Sequence, residues 1–167
     1  MLDRFLKIRT MPVSGGLLMK MKPTITLEDA KRLLTAAEDE ARRNGWEVVI
    51  AILNDGGRMV ALYRMDGARP GNDQIAIEKA TTSAMTCRPT VVWEKWIEGR
   101  HPAYATFPFI AAQGGLPIII DGEIIGAIGV SGVKSFEDEL IAMHAIKTVF
   151  PNAMTTRKGE ENDAATF

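Results

Sequence analysis

Lys79 is the ionisable residue of this sequence with the most chemistry open to it. Ile75 precedes it by four residues and Ser83 follows by four, in a stretch of small side chains that includes Ala76, Ala80, Thr81 and Ala84. An ammonium held in a partly apolar pocket can act as base, nucleophile or carboxylate anchor. The same spacing also fits a surface lysine whose stem covers apolar area while its head pairs with Glu78 or another nearby charge. Gly114-Gly115 offers backbone N–H groups in a turn, a concavity suited to an anion. Lys79, this turn and the loop from Ser131 to Lys134 could together hold the acidic group of a small ligand. Gln113, Gly114, Gly115, Pro117 and Ser131 are the candidate contacts. Asp55 and Asp66 each precede glycine and read as turn residues rather than acids in catalysis.

Two histidines remain. His101 lies in an irregular Gly99-Arg100-His101-Pro102 segment beside Trp93, Trp96, Tyr104 and Phe107, where it could line a pocket or an interface. His144 falls on a helical stripe and reads as a surface or packed residue. Two histidines 43 apart and one cysteine, Cys87, make no zinc motif. There is no nucleophile elbow, P-loop or dinucleotide fingerprint. With 167 residues and a net charge of −1, the chain fits one domain with no basic footprint for nucleic acid and no strong attraction to anionic membranes. A lone cysteine, read as a small buried apolar residue, excludes an internal disulfide framework and suits a reducing, cytoplasmic setting. No run approaches a transmembrane helix.

The elements that must position these residues follow from periodicity and punctuation. Thr26 with Asp29 three residues on forms a capping pair for a helix whose apolar face is Ala30, Leu33, Leu34, Ala37 and Ala41, stopped at Asn44-Gly45. Trp46–Leu53 reads as a central strand, turned back by Asn54-Asp55-Gly56-Gly57 into Arg58–Arg64. Asn72 opens the helix bearing Lys79, which Pro89 ends, and Val91–Ile97 is a shorter helix. A brief strand is expected near Phe109–Ala112. Ile118–Ile120 and Glu123–Val130 are strands joined by Asp121-Gly122, the dipeptide favoured by a type I′ hairpin turn. Pro117 should begin its strand or lie on an edge, and Gly126 and Gly129 mark a bulge or the close approach of a backbone or ligand. Ser135, with Asp138 three residues on, is expected to cap a last helix with the stripe Phe136, Leu140, Met143, Ile146, Val149 and Phe150. Residues 1–23 read as a flexible or partner-docked arm, 24–151 as the domain, and 152–167 as a disordered tail.

Several blocks carry a family resemblance. GGLPI followed by IDGEIIGAIGVSG and an acidic helix start resembles the signature of the GlcG/HbpS family, which includes the C-terminal domain of PduO. VIAILNDGGRMVA is similar to that family's first hairpin and RMDGA to its exit, while IEKA followed by RPT resembles its middle helix. Together these blocks span roughly residues 24 to 150. The resemblance implies an α+β, profilin-like fold with a five-stranded antiparallel sheet flanked by helices, and assembly into a homo-oligomer. It implies haem or small-ligand binding, and it lends weight to a functional Lys79. Alternatively, it implies a catabolic enzyme doing tautomerase- or hydrolase-type acid–base chemistry on a small carboxylate, or an accessory subunit of one. In haem-binding members a first-helix histidine is the natural iron ligand, and residues 26–44 contain none.

Overall fold

The computed structural model describes residues 10–12, 18–99 and 101–157. Two short strands, β1 (Thr10–Pro12) and β2 (Leu18–Lys20), pair antiparallel within the stretch read as an arm. The rest of that stretch up to residue 17 lies outside the described residues, as do residues 158–167 of the tail. Among the described residues, no helix is long and apolar enough to cross a membrane.

The domain proper begins with α1 (Leu27–Arg43). Thr26 Oγ1 accepts the Asp29 amide at 3.1 Å, and the Asp29 carboxylate accepts the Thr26 amide at 3.3 Å, the reciprocal capping box that the spacing predicts. Then follow β3 (Val49–Asn54), β4 (Met59–Arg64), α2 (Asn72–Thr86), α3 (Thr90–Glu98), a 3-10 turn (Pro102–Thr106), β5 (Gly115–Ile120), β6 (Glu123–Ser131) and α4 (Ser135–Val149). Strands β4-β3-β6-β5 form one antiparallel sheet in that order.

Alternation along the central strand β3 sorts the core into two layers. Ile50 and Ile52 face α1 and α4 with Ile128, Val130 and Ile141, while Val49, Ala51 and Leu53 face α2 with Ala76 and Ala80. The α2 side is thin because its residues are small. A Cβ on Gly129 would come within 2.6 Å of the Ala80 amide, and one on Gly115 within 2.8 Å of the Lys79 carbonyl carbon. The strand glycines therefore admit the backbone of α2, the close-approach reading of glycine in a strand. Asp121 and Gly122 both have positive φ, 52° and 80°, the type I′ requirement.

The sheet has four strands, not the five expected, because Phe109–Ala112 forms none. One of its amides and that of the residue after it are spent on side chains: Ile110 N donates to Thr82 Oγ1 at 3.2 Å, and Gln113 N to Glu94 Oε2 at 2.7 Å. Past Pro151, Met154 instead pairs with Ile119 through two backbone bonds of 2.8 and 2.9 Å, closing the outer edge of β5. Pro117, two residues from Ile119, lies on that edge strand as expected. Cys87 is half-buried rather than a core residue; it ends α2 in a left-handed conformation, and its sulfur accepts from Arg157 at 3.4 Å.

Candidate functional site

Lys79 lies on the sheet-facing side of α2, 2% exposed. Its Nζ donates to Asp138 Oδ2 of α4 at 2.8 Å and to the Val130 carbonyl of β6 at 3.0 Å. Asp138 is equally buried, and its other oxygen accepts the Val133 amide at 3.2 Å. Gly114 makes room for the pair: at φ +120°, a Cβ there would stand 2.8 Å from both Lys79 Nζ and Asp138 Cβ. Burial pushes the Asp138 carboxyl above the usual aspartate range, against the pull of Lys79 and of the Val133 and Gly132 amides.

Lys79, Gly114 and the loop after Ser131 meet at a carboxylate, that of Asp138 in the chain itself. Asp138, expected beside Ser135 in a helix cap, is buried instead. The cap position is Lys134, whose amide donates to Glu137 Oε2 at 3.1 Å. One of the turn amides is also occupied, since Gly115 N donates to Thr90 Oγ1 at 2.9 Å. Ser131 and Pro117 are buried in β6 and β5. To serve as base, nucleophile or ligand anchor, Lys79 would first have to part from Asp138.

Gln113 sits at the rim of this region. Its side-chain amide donates to Glu139 Oε1 at 3.1 Å, while Glu139 Oε2 is buried with no hydrogen-bond partner. Burial pushes the Glu139 carboxyl up, helped by the nearby charge of Glu94.

His101 is elsewhere, on the exposed side of α3. The chain folds back there because the His101 amide donates to the Trp96 carbonyl at 3.1 Å and Pro102 starts the 3-10 turn. This brings Trp93 to within 5.0 Å of Trp96, 5.5 Å of Tyr104, 6.1 Å of Phe107 and 6.0 Å of Phe109, between ring centroids. The His101 ring stands 5.8 Å from Tyr104, and the Arg88 guanidinium lies 5.7 Å from the Trp96 ring centre. Phe107 stays 42% exposed. The other histidine, His144, is on α4, where Nε2 meets Arg43 of α1 at 3.0 Å and Thr148 at 3.3 Å. It lines a cleft of about 420 Å³ between α1 and α4, together with Lys31 and Arg32.

The model of the family described as "Haem degrading protein HbpS-like" matches residues 25–147. The chain belongs to that family. This HbpS-like chain is 40% identical over 114 residues to Protein GlcG of Escherichia coli K12, covering 68% of this chain and 85% of the relative. A double mutant of Streptomyces reticuli HbpS superimposes with a TM-score of 0.73 at 26% identity, covering 84% of this chain and 95% of the other. A PduOC:heme complex shares the fold, with a TM-score of 0.72 at 24% identity over 80% of this chain and 99% of that one.

Within the HbpS-like fold, α1 carries no histidine, and the imidazole nearest it is supplied by α4. Sequence reasoning missed Asp138, Glu94, Glu139 and Thr90. Asp138 and Glu139 stand in the first turns of a helix, where acids are usual, and Thr90 follows a proline at a helix start. Nothing in their spacing separates the buried acids from the capping ones.

Proposed function

We propose that this chain is a haem- or small-ligand-binding member of the HbpS-like family, and that the bound group rests on the aromatic shelf of α3 and the 3-10 turn. The observation carrying this reading is the set of Trp96, Tyr104 and Phe107 rings around the buried Trp93, gathered beside the exposed His101. Ring faces suit a flat macrocycle, and an imidazole is a common axial ligand to haem iron. Arg88 adds positive charge over Trp96, which suits the carboxylates at a haem's edge. When bound, haem would supply redox-active iron; His101 would hold it and the rings would shield it from water. The family description and the fold shared with a PduOC:heme complex support the reading.

The test is a hemin titration followed by absorbance. A saturable Soret shift near one haem per chain is expected, abolished in His101→Ala and kept in His144→Ala. No saturable shift, or one indifferent to His101→Ala, overturns the assignment. We further propose assembly into a homo-oligomer. Met59, Met85, Phe136 and Leu140 are each at least half exposed on one chain, and sedimentation of the full-length protein checks it.

A further inference from the structure

A cleft of about 400 Å³ opens between α2 and the segment Phe107–Ile110. One wall is apolar, formed by Phe107, Pro108, Phe109 and Ile110. The other is a single face of α2, where Glu78, Thr81 and Thr82 stand at helical i, i+3 and i+4 spacing. None of the residues lining the cleft carries positive charge.

The hydrogen-bond directions are set at Thr81 and Glu78, while Thr82 is nearly fully buried. Thr81 Oγ1 spends its proton on the Ile77 carbonyl at 2.8 Å, so what it turns outward can only accept. Thr82 Oγ1 accepts the Ile110 amide at 3.2 Å, which fixes the far wall to the helix and holds the cleft open at a set width. Glu78 is an exposed carboxylate whose Oε1 accepts from Gln74 at 2.7 Å, leaving its second oxygen for another donor. Opposite, the Phe107 and Phe109 rings meet edge to face, with centroids 6.3 Å apart and planes at 87°. Their faces are regions of negative potential that attract a cation.

From acceptors on one side and two aromatic rings on the other, we infer that this cleft binds a small organic ammonium with an apolar body, and excludes carboxylates. The amine donates to Glu78 and Thr81 while its hydrocarbon part lies against Phe107 and Phe109. The cleft adjoins the proposed haem shelf and shares Phe107 with it, but His101 does not line it, and Glu78 is no part of the shelf.

The probe is 2-phenylethylamine, a flat apolar body with one ammonium, compared with phenylacetate of the same size and opposite charge. Binding to the full chain, without hemin, is followed by calorimetry and by tryptophan fluorescence, since Trp93 packs on both phenylalanines at about 6 Å. Saturable binding of the amine, none of phenylacetate, and about tenfold weaker amine binding in Glu78→Gln are expected, the loss of one charge-assisted hydrogen bond. Glu78 is exposed, so the variant should fold, and circular dichroism checks that it does. Phenylacetate binding as tightly as the amine, no saturable amine binding, or Glu78→Gln binding like the parent overturns the inference. Amine binding should survive His101→Ala and the hemin shift should survive Glu78→Gln, so failure of either reading leaves the other standing.

Discussion

Replacing Lys79 by methionine tests the buried ion pair directly. Methionine fills the stem's volume but leaves Asp138 without its cation and the Val130 carbonyl without a donor. Both partners are only 3% exposed, so solvent cannot stand in for the missing ammonium. Removing one member of such a pair costs about 3–5 kcal/mol, because an uncompensated charge stays buried. With a urea slope of about 1–3 kcal/mol per molar for a domain of this size, the unfolding midpoint should fall by roughly 1–5 M. Adding Asp138→Asn removes the stranded charge, and the double variant should regain a large part of the loss. The pH dependence has a definite sign. Asp138 already sits above its ordinary value of 3.8 in the folded protein, so the fold holds that proton more tightly than the unfolded chain does. Its contribution to stability is therefore complete below the unfolded pKa and is lost as pH rises through the folded one. Without Lys79 the folded pKa climbs further. The deficit of Lys79→Met should shrink as pH falls and Asp138 accepts a proton, and be largest at neutral pH. A variant within about 1 kcal/mol of the parent at pH 7, or a deficit that does not change with pH, would refute the account.

Other substitutions probe what holds the site elements in place. Gly129→Ala drives a methyl into the α2 backbone at Ala76 and Ala80, and should cost about 3 kcal/mol or more in chemical denaturation, at the upper end of overpacking. Gly122→Ala has open space around it but φ +80°, so it should cost only about 1–2 kcal/mol, all of it conformational. Thr26→Ala breaks the capping box and should cost about 1 kcal/mol, with Thr26→Ser restoring most of it. Ending the chain at Pro151 removes both Met154 backbone bonds and the buried Ala153. Faster hydrogen exchange of the Ile119 amide is expected, with the β3–β6 amides unchanged.

Local signals in the sequence specify much of this fold. The Thr26–Asp29 cap, the Asp121-Gly122 turn and the apolar stripe of α1 depend on neighbours a few residues apart, and the structure has them where periodicity puts them. The glycines at 126 and 129 are legible as sites of close approach, but whether a helix or a ligand approaches is not. At Gly129 that depends on where α2 docks, and at Gly126 on the approach of Leu53 in β3 and of Ile25, both set by long-range packing. Phe109–Ala112 fails as a strand for the same reason. Its β propensity is ordinary, and Thr82 and Glu94, 28 and 19 residues away, capture the donors of Ile110 and Gln113. Lys79 stands out in the sequence as unusual, while its partner, 59 residues later, carries the disguise of a helix-capping acid.

That pairing bears on where function can reside. Helices α2 and α4 pack on opposite faces of the sheet, and the sheet lies between them along most of its length. At the start of β5 the barrier thins to Gly114, and there an ammonium from one layer meets a carboxylate from the other. An apolar pair of similar volume would stabilise the junction as well or better, so stability alone does not explain an ion pair. What charge adds is direction: Lys79 must point to Asp138, and Asp138 to the Val133 amide, which fixes α4 against the loop following β6. In the same junction the ammonium and one of the turn amides already have partners inside the chain. The surfaces proposed above for ligands are ones that this junction keeps in register. Two lie on the α2–α3 side: the aromatic shelf beside His101 and the acceptor-lined cleft at Glu78. Loosening the junction should therefore weaken binding at both through misplacement, although Lys79 itself touches neither ligand. As pH falls and Asp138 takes up a proton, the junction of Lys79→Met is repaired, and binding should return towards that of the parent measured at the same pH. A catalytic or ligand-contacting lysine would show no such recovery.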